Sequence, residues 1–119
     1  MTAPNLLTST SVTGKTALSL LTTTTSSVLI NAASSNTVAK IENITLTNYT
    51  GTSTNANISV VRSATPYFLG GNVAIPANSS LILLAKDTTF YLEEGDTLQG
   101  NVNANLSVNI SVAYELISQ

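Results

Sequence analysis

The amino-acid sequence predicts an all-β fold, an antiparallel β-sandwich of about eight strands. Residues 106–116 alternate strictly between apolar and polar or small side chains, the period of a strand with one buried face. Short runs rich in β-branched residues are separated by turn residues, and no segment has the helical period. A strand with one apolar face needs a second sheet to cover it, which gives a sandwich of either jelly-roll or immunoglobulin-like type.

The first 27 residues differ in composition from the remainder of the chain. Fourteen of them are Ser or Thr, a bias typical of a flexible leader. Residues 15–21 nevertheless have the composition of a strand that could pack on its own domain or on a neighbour. We therefore expect an extended N-terminal arm at residues 1–27 and the β-sandwich domain at residues 28–119.

The first half of the predicted sandwich contains one long strand with a change of phase. A short strand at 28–30 ends in a polar turn, and the long strand spans 38–49. Ile44 and Leu46 are in phase with each other but out of phase with Ile41, which predicts a β-bulge at Glu42-Asn43. The polar segment 50–55 predicts a turn before a strand at 58–62.

The second half consists of shorter strands separated by Gly, Pro and Asn. Gly70-Gly71 predicts a bend between short strands at 67–69 and 73–75, and Pro76 to Ser79 predicts a turn. Residues 81–85 are apolar on both faces, which predicts a central strand covered on both sides. The last predicted elements are a strand at 90–92, a tight turn at Glu93-Glu94-Gly95-Asp96, a strand at 97–102 and the final strand.

The composition excludes several classes of function. Charged residues make up only 8% of the chain, about a third of the usual share, and the net charge is −2. We therefore expect neither nucleic acid nor a membrane as a partner, because both require a basic patch or a long apolar segment. A surface of Ser, Thr and Asn suits a protein that is packed into an assembly or one that works outside a cell.

The residues available for catalysis are few. The chain has no His and no Cys, so a Ser-His-Asp triad and thiol chemistry are excluded. Its carboxylates are Glu42, Asp87, Glu93, Glu94, Asp96 and Glu115. The three within residues 93–96 could form a calcium loop or an acid pair for sugar hydrolysis, but they fit better a polar turn in which Asp96 accepts from its own backbone. We therefore expect no catalytic, cofactor-binding or metal-binding residues, and no enzymatic activity.

The cations and glycines do not form a recognisable site. The four cations are scattered along the chain: Lys15, Lys40, Arg62 and Lys86. No basic stripe alternates with aromatic residues, as nucleic-acid binding would require. Gly70-Gly71 is not followed by a helix, so it cannot form a phosphate-binding loop.

Tyrosine and asparagine leave two alternatives open. The four tyrosines, Tyr49, Tyr67, Tyr91 and Tyr114, could form a platform on which sugars stack, or could fill the edge of the core and a subunit contact. The platform would lie at Tyr67, Tyr91 and the 93–96 turn. Asn-x-Ser/Thr triplets begin at Asn43, Asn48, Asn57, Asn78, Asn105 and Asn109. We attribute the triplets to the high content of Asn, Ser and Thr and not to glycosylation.

Four segments together resemble a known group of proteins. They are the strand ending in Asn at 41–48, the Pro-Ala turn at 75–81, the Gly-Asp-Thr-Leu turn at 92–98 and the closing strand at 112–116. Their order and spacing resemble small β-sandwich structural proteins of tailed bacteriophages, and the Thr- and Asn-rich composition is similar to that of phages of marine cyanobacteria. The resemblance covers about three quarters of the chain, and the Ser/Thr-rich leader has no counterpart in it.

The resemblance implies a non-enzymatic structural protein of the virion. We expect a capsid decoration (cement) protein that forms trimers and binds other virion proteins such as the major capsid protein. The alternatives are an accessory protein of the tail, neck or fibre, or a glycan-binding module at a fibre tip. We expect the arm or an exposed sheet edge to pair with a neighbouring chain, so that a chain lacking residues 1–27 would fold but would not enter particles.

Overall fold

Nine β-strands and one short 3₁₀ helix are present in the computed structural model, which describes residues 7–8, 11–104 and 108–118. The strands are β1 (Ser11–Leu21), β2 (Ser26–Ile30), β3 (Thr37–Asn48), β4 (Thr54–Arg62), β5 (Thr65–Ile75), β6 (Ser79–Leu84), β7 (Phe90–Leu92), β8 (Thr97–Val102) and β9 (Val108–Ser118). The 3₁₀ helix, Lys86–Thr88, separates β6 from β7. The all-β prediction is confirmed. β6 and β7 both pair with β3 and together form one edge of the first sheet, which the 3₁₀ helix interrupts.

The strand order is that of a jelly roll. The first sheet has the order β1-β9-β3-β6, with β7 also paired to β3, and the second has the order β2-β8-β4-β5. Most consecutive strands alternate between the two sheets, so the chain winds around the sandwich. An immunoglobulin-like domain would instead pair several consecutive strands within one sheet.

The core lies between the two sheets and is formed by the inward side of each strand. Val108, Ile110 and Val112 of β9 are fully buried, as the alternation in the sequence predicts. Within the first sheet they lie beside Ile44 and Leu46 of β3, because β9 pairs with β3 on one side. On its other side β9 pairs with β1. The final strand is therefore central to the fold; residues 106–107 of its predicted range lie outside the described residues.

Two local predictions for the strands and turns are confirmed. The pairing of β3 with β9 shifts register between Ile41 and Asn43, so the bulge lies at Glu42. In the turn between β7 and β8, Gly95 has a φ of 86°, which a residue without a Cβ adopts at no steric cost.

The predicted arm contributes a strand to the sandwich. β1 pairs with β9 over its full length, from Ser11 opposite Ser118 to Leu21 opposite Val108. Leu21 is fully buried, and Ala17 packs against the core. Removing residues 1–27 would therefore open the core as well as remove the leader. Residues 1–6, 9 and 10 of the predicted arm lie outside the described residues.

Two predictions about the second half are wrong. Residues 81–85 do not form a central strand: β6 lies at the edge of the first sheet, and Ile82 is 62% exposed. A register shift between the partners of Ile44 and Thr45 lets Leu81 and Leu84 both face the core, which hides the alternation in the sequence. The segments 67–69 and 73–75 form a single strand, β5, which bulges near Gly70-Gly71 instead of ending there.

Candidate functional site

The most highly charged contact of the described chain joins the end of β4 to the turn between β7 and β8. Arg62, the last residue of β4, donates from Nε to Oδ1 of Asp96 at 2.9 Å and from Nη2 to Oδ2 of Asp96 at 2.6 Å. The same Nη2 lies 2.9 Å from Oε2 of Glu93. Asp96 is almost fully buried, whereas the side chains of Arg62 and Glu93 are about half exposed. The bidentate pair therefore fixes the plane of the guanidinium at the surface.

The 93–96 turn has the geometry expected of a self-capped polar turn. The backbone N–H of Glu93 donates to Oδ2 of Asp96 at 2.8 Å, and the N–H of Asp96 donates to the carbonyl of Glu93 at 3.0 Å. Glu94 points to the other side, where its Oε2 accepts from the N–H of Asn36 at 3.1 Å. Asp96 and Glu93 thus share Arg62 while Glu94 binds the backbone of Asn36, and the self-capped interpretation of the turn is confirmed.

Asp96 keeps Arg62 permanently charged. The hydrogen bond from Arg62 to Asp96 raises the pKa of the guanidinium above its already high ordinary value, against the lowering by desolvation. The negative charges of Asp96 and Glu93 raise this pKa further. The three side chains, one positive and two negative, carry a combined charge of −1 when ionised.

A cleft opens beside Arg62, between the β5 edge of the second sheet and β7 of the first. Its volume is about 540 Å³, and its lining residues are Val60, Arg62, Tyr67, Phe90, Tyr91 and Glu93. Pockets that hold small molecules have volumes of about 300–1,000 Å³, with apolar and aromatic walls and a few polar groups. The cleft has this character, with four apolar or aromatic residues and one ion pair in its wall.

The structure brings together the two tyrosines that the sequence placed at a platform. Tyr67 is 59% exposed and Tyr91 is 41% exposed, and both line the cleft. Tyr49 lies just past the end of β3 and does not line it, and Tyr114 packs against the core between the sheets. Arg62, Phe90 and Val60 were not recognised from the sequence as site residues. The position of Arg62 at the end of a strand is the one signal that could have identified it.

The remaining candidates lie elsewhere on the fold. Glu42 lies at the bulge of β3, Asp87 in the 3₁₀ helix and Glu115 on β9. Lys15 lies on β1 opposite Tyr114 of β9, and Lys40 lies on β3 opposite Glu115. Of the Asn-x-Ser/Thr triplets, that of Asn48 starts at a fully buried side chain, which a glycosyltransferase could not reach.

Residues 7–8, 11–104 and 108–118 contain neither a metal-binding cluster nor a membrane-spanning helix. No group of three or more His, Cys, Asp or Glu side chains converges there in a way that could hold a metal ion. No helix in this part of the chain is long and apolar enough to cross a membrane.

The outer edge of β1 is the second feature of functional interest. No described strand pairs with this edge, and the register of β1 with β9 runs through eleven residue pairs without a shift. β1 contains one charged residue, Lys15, and no proline. On its outer face, Leu18 is 76% exposed, Val12 55% and Leu20 39%. Folded proteins that stay monomeric usually protect such an edge with charges, prolines, bulges or short strands.

The three other edges of the sandwich have such protection. β2 has only five residues and a register shift after Ser27. β5 contains Pro66 and two register shifts. The edge formed by β6 and β7 is interrupted by the 3₁₀ helix. The β1 edge is therefore the one most suited to pair with another chain.

We predict that Asp96→Ala lowers the free energy of unfolding by about 2–3 kcal/mol. The change removes the two oxygens of Asp96 that accept from Arg62 and leaves the N–H of Glu93 without its acceptor. Water reaches the half-exposed Arg62, so the loss should stay below that of a fully buried pair. The measurement is urea unfolding of both proteins at the same pH. Glu93→Ala, which removes only the exposed ion pair, is the control and should cost less than about 1 kcal/mol; equal losses for the two variants would contradict the assignment.

Comparisons with known proteins give no family for this chain. No protein-family model matches it, and no curated protein matches it. A solved structure described as "Bacillus endospore appendages form a novel family of disulfide-linked pili" is similar at 10% sequence identity, with a TM-score of 0.46. The match covers 92% of this chain and 87% of that chain. A likeness this distant carries no information about the function of this chain.

Proposed function

We propose that this chain is a non-enzymatic structural protein of a bacteriophage virion, a capsid decoration protein that binds its neighbours in a symmetric assembly. Its partners in the proposal are other copies of itself, as a trimer, and virion proteins such as the major capsid protein. The resemblance of the four segments at 41–48, 75–81, 92–98 and 112–116 to phage virion sandwiches supports this assignment. The low share of charged residues, 8%, supports it as well, because such a surface suits permanent packing.

The observation that carries the proposal is the unprotected edge of β1. Within the part of the chain that the structure describes, no strand pairs with the outer side of this eleven-residue strand, so its outward N–H and C=O groups can pair with a neighbouring chain. Pairing through the backbone needs no particular side chains, so it works with a Ser/Thr-rich strand. The apolar side chains of Leu18 and Leu20 would be covered at the same time.

The outer face of the first sheet is suited to the same contact. Leu18 lies opposite Ser111 of β9, and Leu20 lies opposite Asn109, so the partners of both leucines on β9 are uncharged. Burying this area against a neighbour requires no desolvation of ionised groups at these positions. In a trimer the contact would be heterologous, with the β1 edge of one copy meeting a different surface of the next.

The role in the proposal is mechanical. The sandwich supplies a rigid body, and the edge of β1 supplies the contact. The alternative location, on the tail, neck or fibre, uses the same physical mechanism with another partner. The location on the particle distinguishes these alternatives.

Quantitative mass spectrometry of gradient-purified phage particles tests the proposal. We expect the chain in intact particles, in copy numbers that match positions of the capsid symmetry, and in the capsid fraction after tails are detached. Recovery in the tail fraction would favour the alternative location. Absence from purified particles would overturn the proposal.

A further inference from the structure

The cleft beside Arg62 combines two features that together indicate a ligand, and neither is required by the assembly role. The first is its aromatic wall. Tyr67 and Tyr91 are both largely exposed to water at its rim, while Phe90 and Val60 form its inner part. Exposing two large rings around one concavity is unfavourable unless something covers them.

The second feature is a fixed pair of polar groups in the same wall. The guanidinium of Arg62 is held by Asp96 behind it through two hydrogen bonds of 2.9 and 2.6 Å. Among the described residues, the two N–H groups of its Nη1 have no acceptor, so they remain available as donors. Glu93 uses Oε2 for Arg62, and its other oxygen remains available as an acceptor. The cleft therefore offers donors and an acceptor in a geometry that needs little ordering when a ligand binds.

The charge balance selects the class of ligand. Arg62, Asp96 and Glu93 together carry a charge of −1 when ionised, so the cleft has no net attraction for an anion. The Nη1 groups of Arg62 can only donate, so a ligand that satisfies them must offer acceptors, which a quaternary ammonium group lacks. A neutral ligand with flat apolar faces and many hydroxyl groups fits both the rings and the ion pair. Pyranose sugars have this combination.

We propose that this cleft is a binding site for a neutral oligosaccharide. The C–H faces of the sugar rings stack on Tyr67 and Tyr91, and its hydroxyls bond to Nη1 of Arg62 and to Oε1 of Glu93. The site lies on the β5–β7 side of the sandwich, away from the β1 edge of the same chain.

Ring-resolved NMR of the tyrosines tests this site on the intact chain. The chain has four tyrosines and no tryptophan, so ¹³C-labelled tyrosine gives a small set of ring signals. The probes are cellohexaose, maltohexaose and xylohexaose as neutral sugars, a hyaluronan hexasaccharide as the anionic arm and choline as the cationic arm. We expect at least one neutral sugar to shift the signals of Tyr67 and Tyr91 but not those of Tyr49 and Tyr114.

Three variants complete the test. Tyr67→Ala and Tyr91→Ala should each weaken binding of the sugar that shifts the signals by about tenfold or more. Tyr49→Ala is the matched control, since Tyr49 is 50% exposed outside the cleft, and it should leave the affinity unchanged. No shift with any neutral sugar, a shift with choline or the hyaluronan hexasaccharide alone, or equal affinity of Tyr67→Ala and the wild type would overturn the proposal. The outcome of this test does not decide whether the chain is incorporated into virions, which is tested separately.

Discussion

A chain carrying Leu18→Lys should fold as stably as the wild type but associate about thirtyfold more weakly with other copies. Leu18 is 76% exposed on the outer face of β1, so the change removes nothing from the core. A partner strand that pairs with β1 would cover this side chain, and losing that burial while placing an ammonium there costs about 2 kcal/mol or more. Sedimentation velocity over a range of concentrations measures the association, and urea unfolding measures the stability.

Ile82→Lys is the matched control for this experiment. Ile82 lies on β6, at the opposite edge of the same sheet, and is 62% exposed. It receives the same new charge, but its edge is interrupted by the 3₁₀ helix. We expect Ile82→Lys to associate and to enter particles as the wild type does. Equal loss of association in both variants would mean that added charge, and not the β1 edge, is responsible.

Asn48→Ala should lower the free energy of unfolding by about 3 kcal/mol, although it removes only a small polar group. Asn48 is fully buried at the end of β3 and donates from Nδ2 to the carbonyls of Thr52 and Ile75, at 2.9 and 3.2 Å. Its Oδ1 accepts from the N–H of Thr50 at 3.0 Å and from the hydroxyl of Thr50 at 2.7 Å. Alanine leaves the carbonyl of Ile75 without this donor in a buried site and removes three further hydrogen bonds that are partly buried.

Denaturant unfolding of Asn48→Ala against the wild type measures this loss. Asn109→Ala is the control, because Asn109 is an exposed asparagine on the outer face of β9. Its substitution should change stability by less than about 0.5 kcal/mol. A loss for Asn48→Ala as small as that of the control would show that the hydrogen bonds of Asn48 add nothing to the fold.

Local features of the fold could be predicted because each depends on residues adjacent in the chain. The alternation in β9, the bulge at Glu42 and the turn at Gly95 all follow from short patterns of side chains. The position of β6 could not be predicted in this way. Its apolar run is typical of a central strand, but with the register shift Leu81, Leu83 and Leu84 pack against the core while Ile82 faces water.

The candidate site could be predicted only in part, for a related reason. Tyr67, Tyr91 and the 93–96 turn can be recognised from their residue types as candidates for a binding site, and the fold does bring them together. Arg62 joins them through a pairing with Asp96, 34 residues away, that only the sheet topology creates. Buried and exposed asparagines likewise look the same in a sequence rich in Asn, so the role of Asn48 was not recognised.

The two proposed sites lie on different sides of the molecule. The cleft lies on the β5–β7 side, and the unprotected edge belongs to β1. A variant at the cleft should therefore still assemble, and a variant at the edge should still bind sugar. This separation makes the two proposals independently testable.

Electron cryo-microscopy of the intact particle tests the central claim, that copies of this chain are held through the edge of β1. The account predicts density for the jelly roll in symmetry-related copies, with the backbone of β1 at hydrogen-bonding distance from a strand of a neighbouring chain. A reconstruction in which β1 faces solvent in every copy, with the contacts made by the β5 or β6 edge, would contradict it.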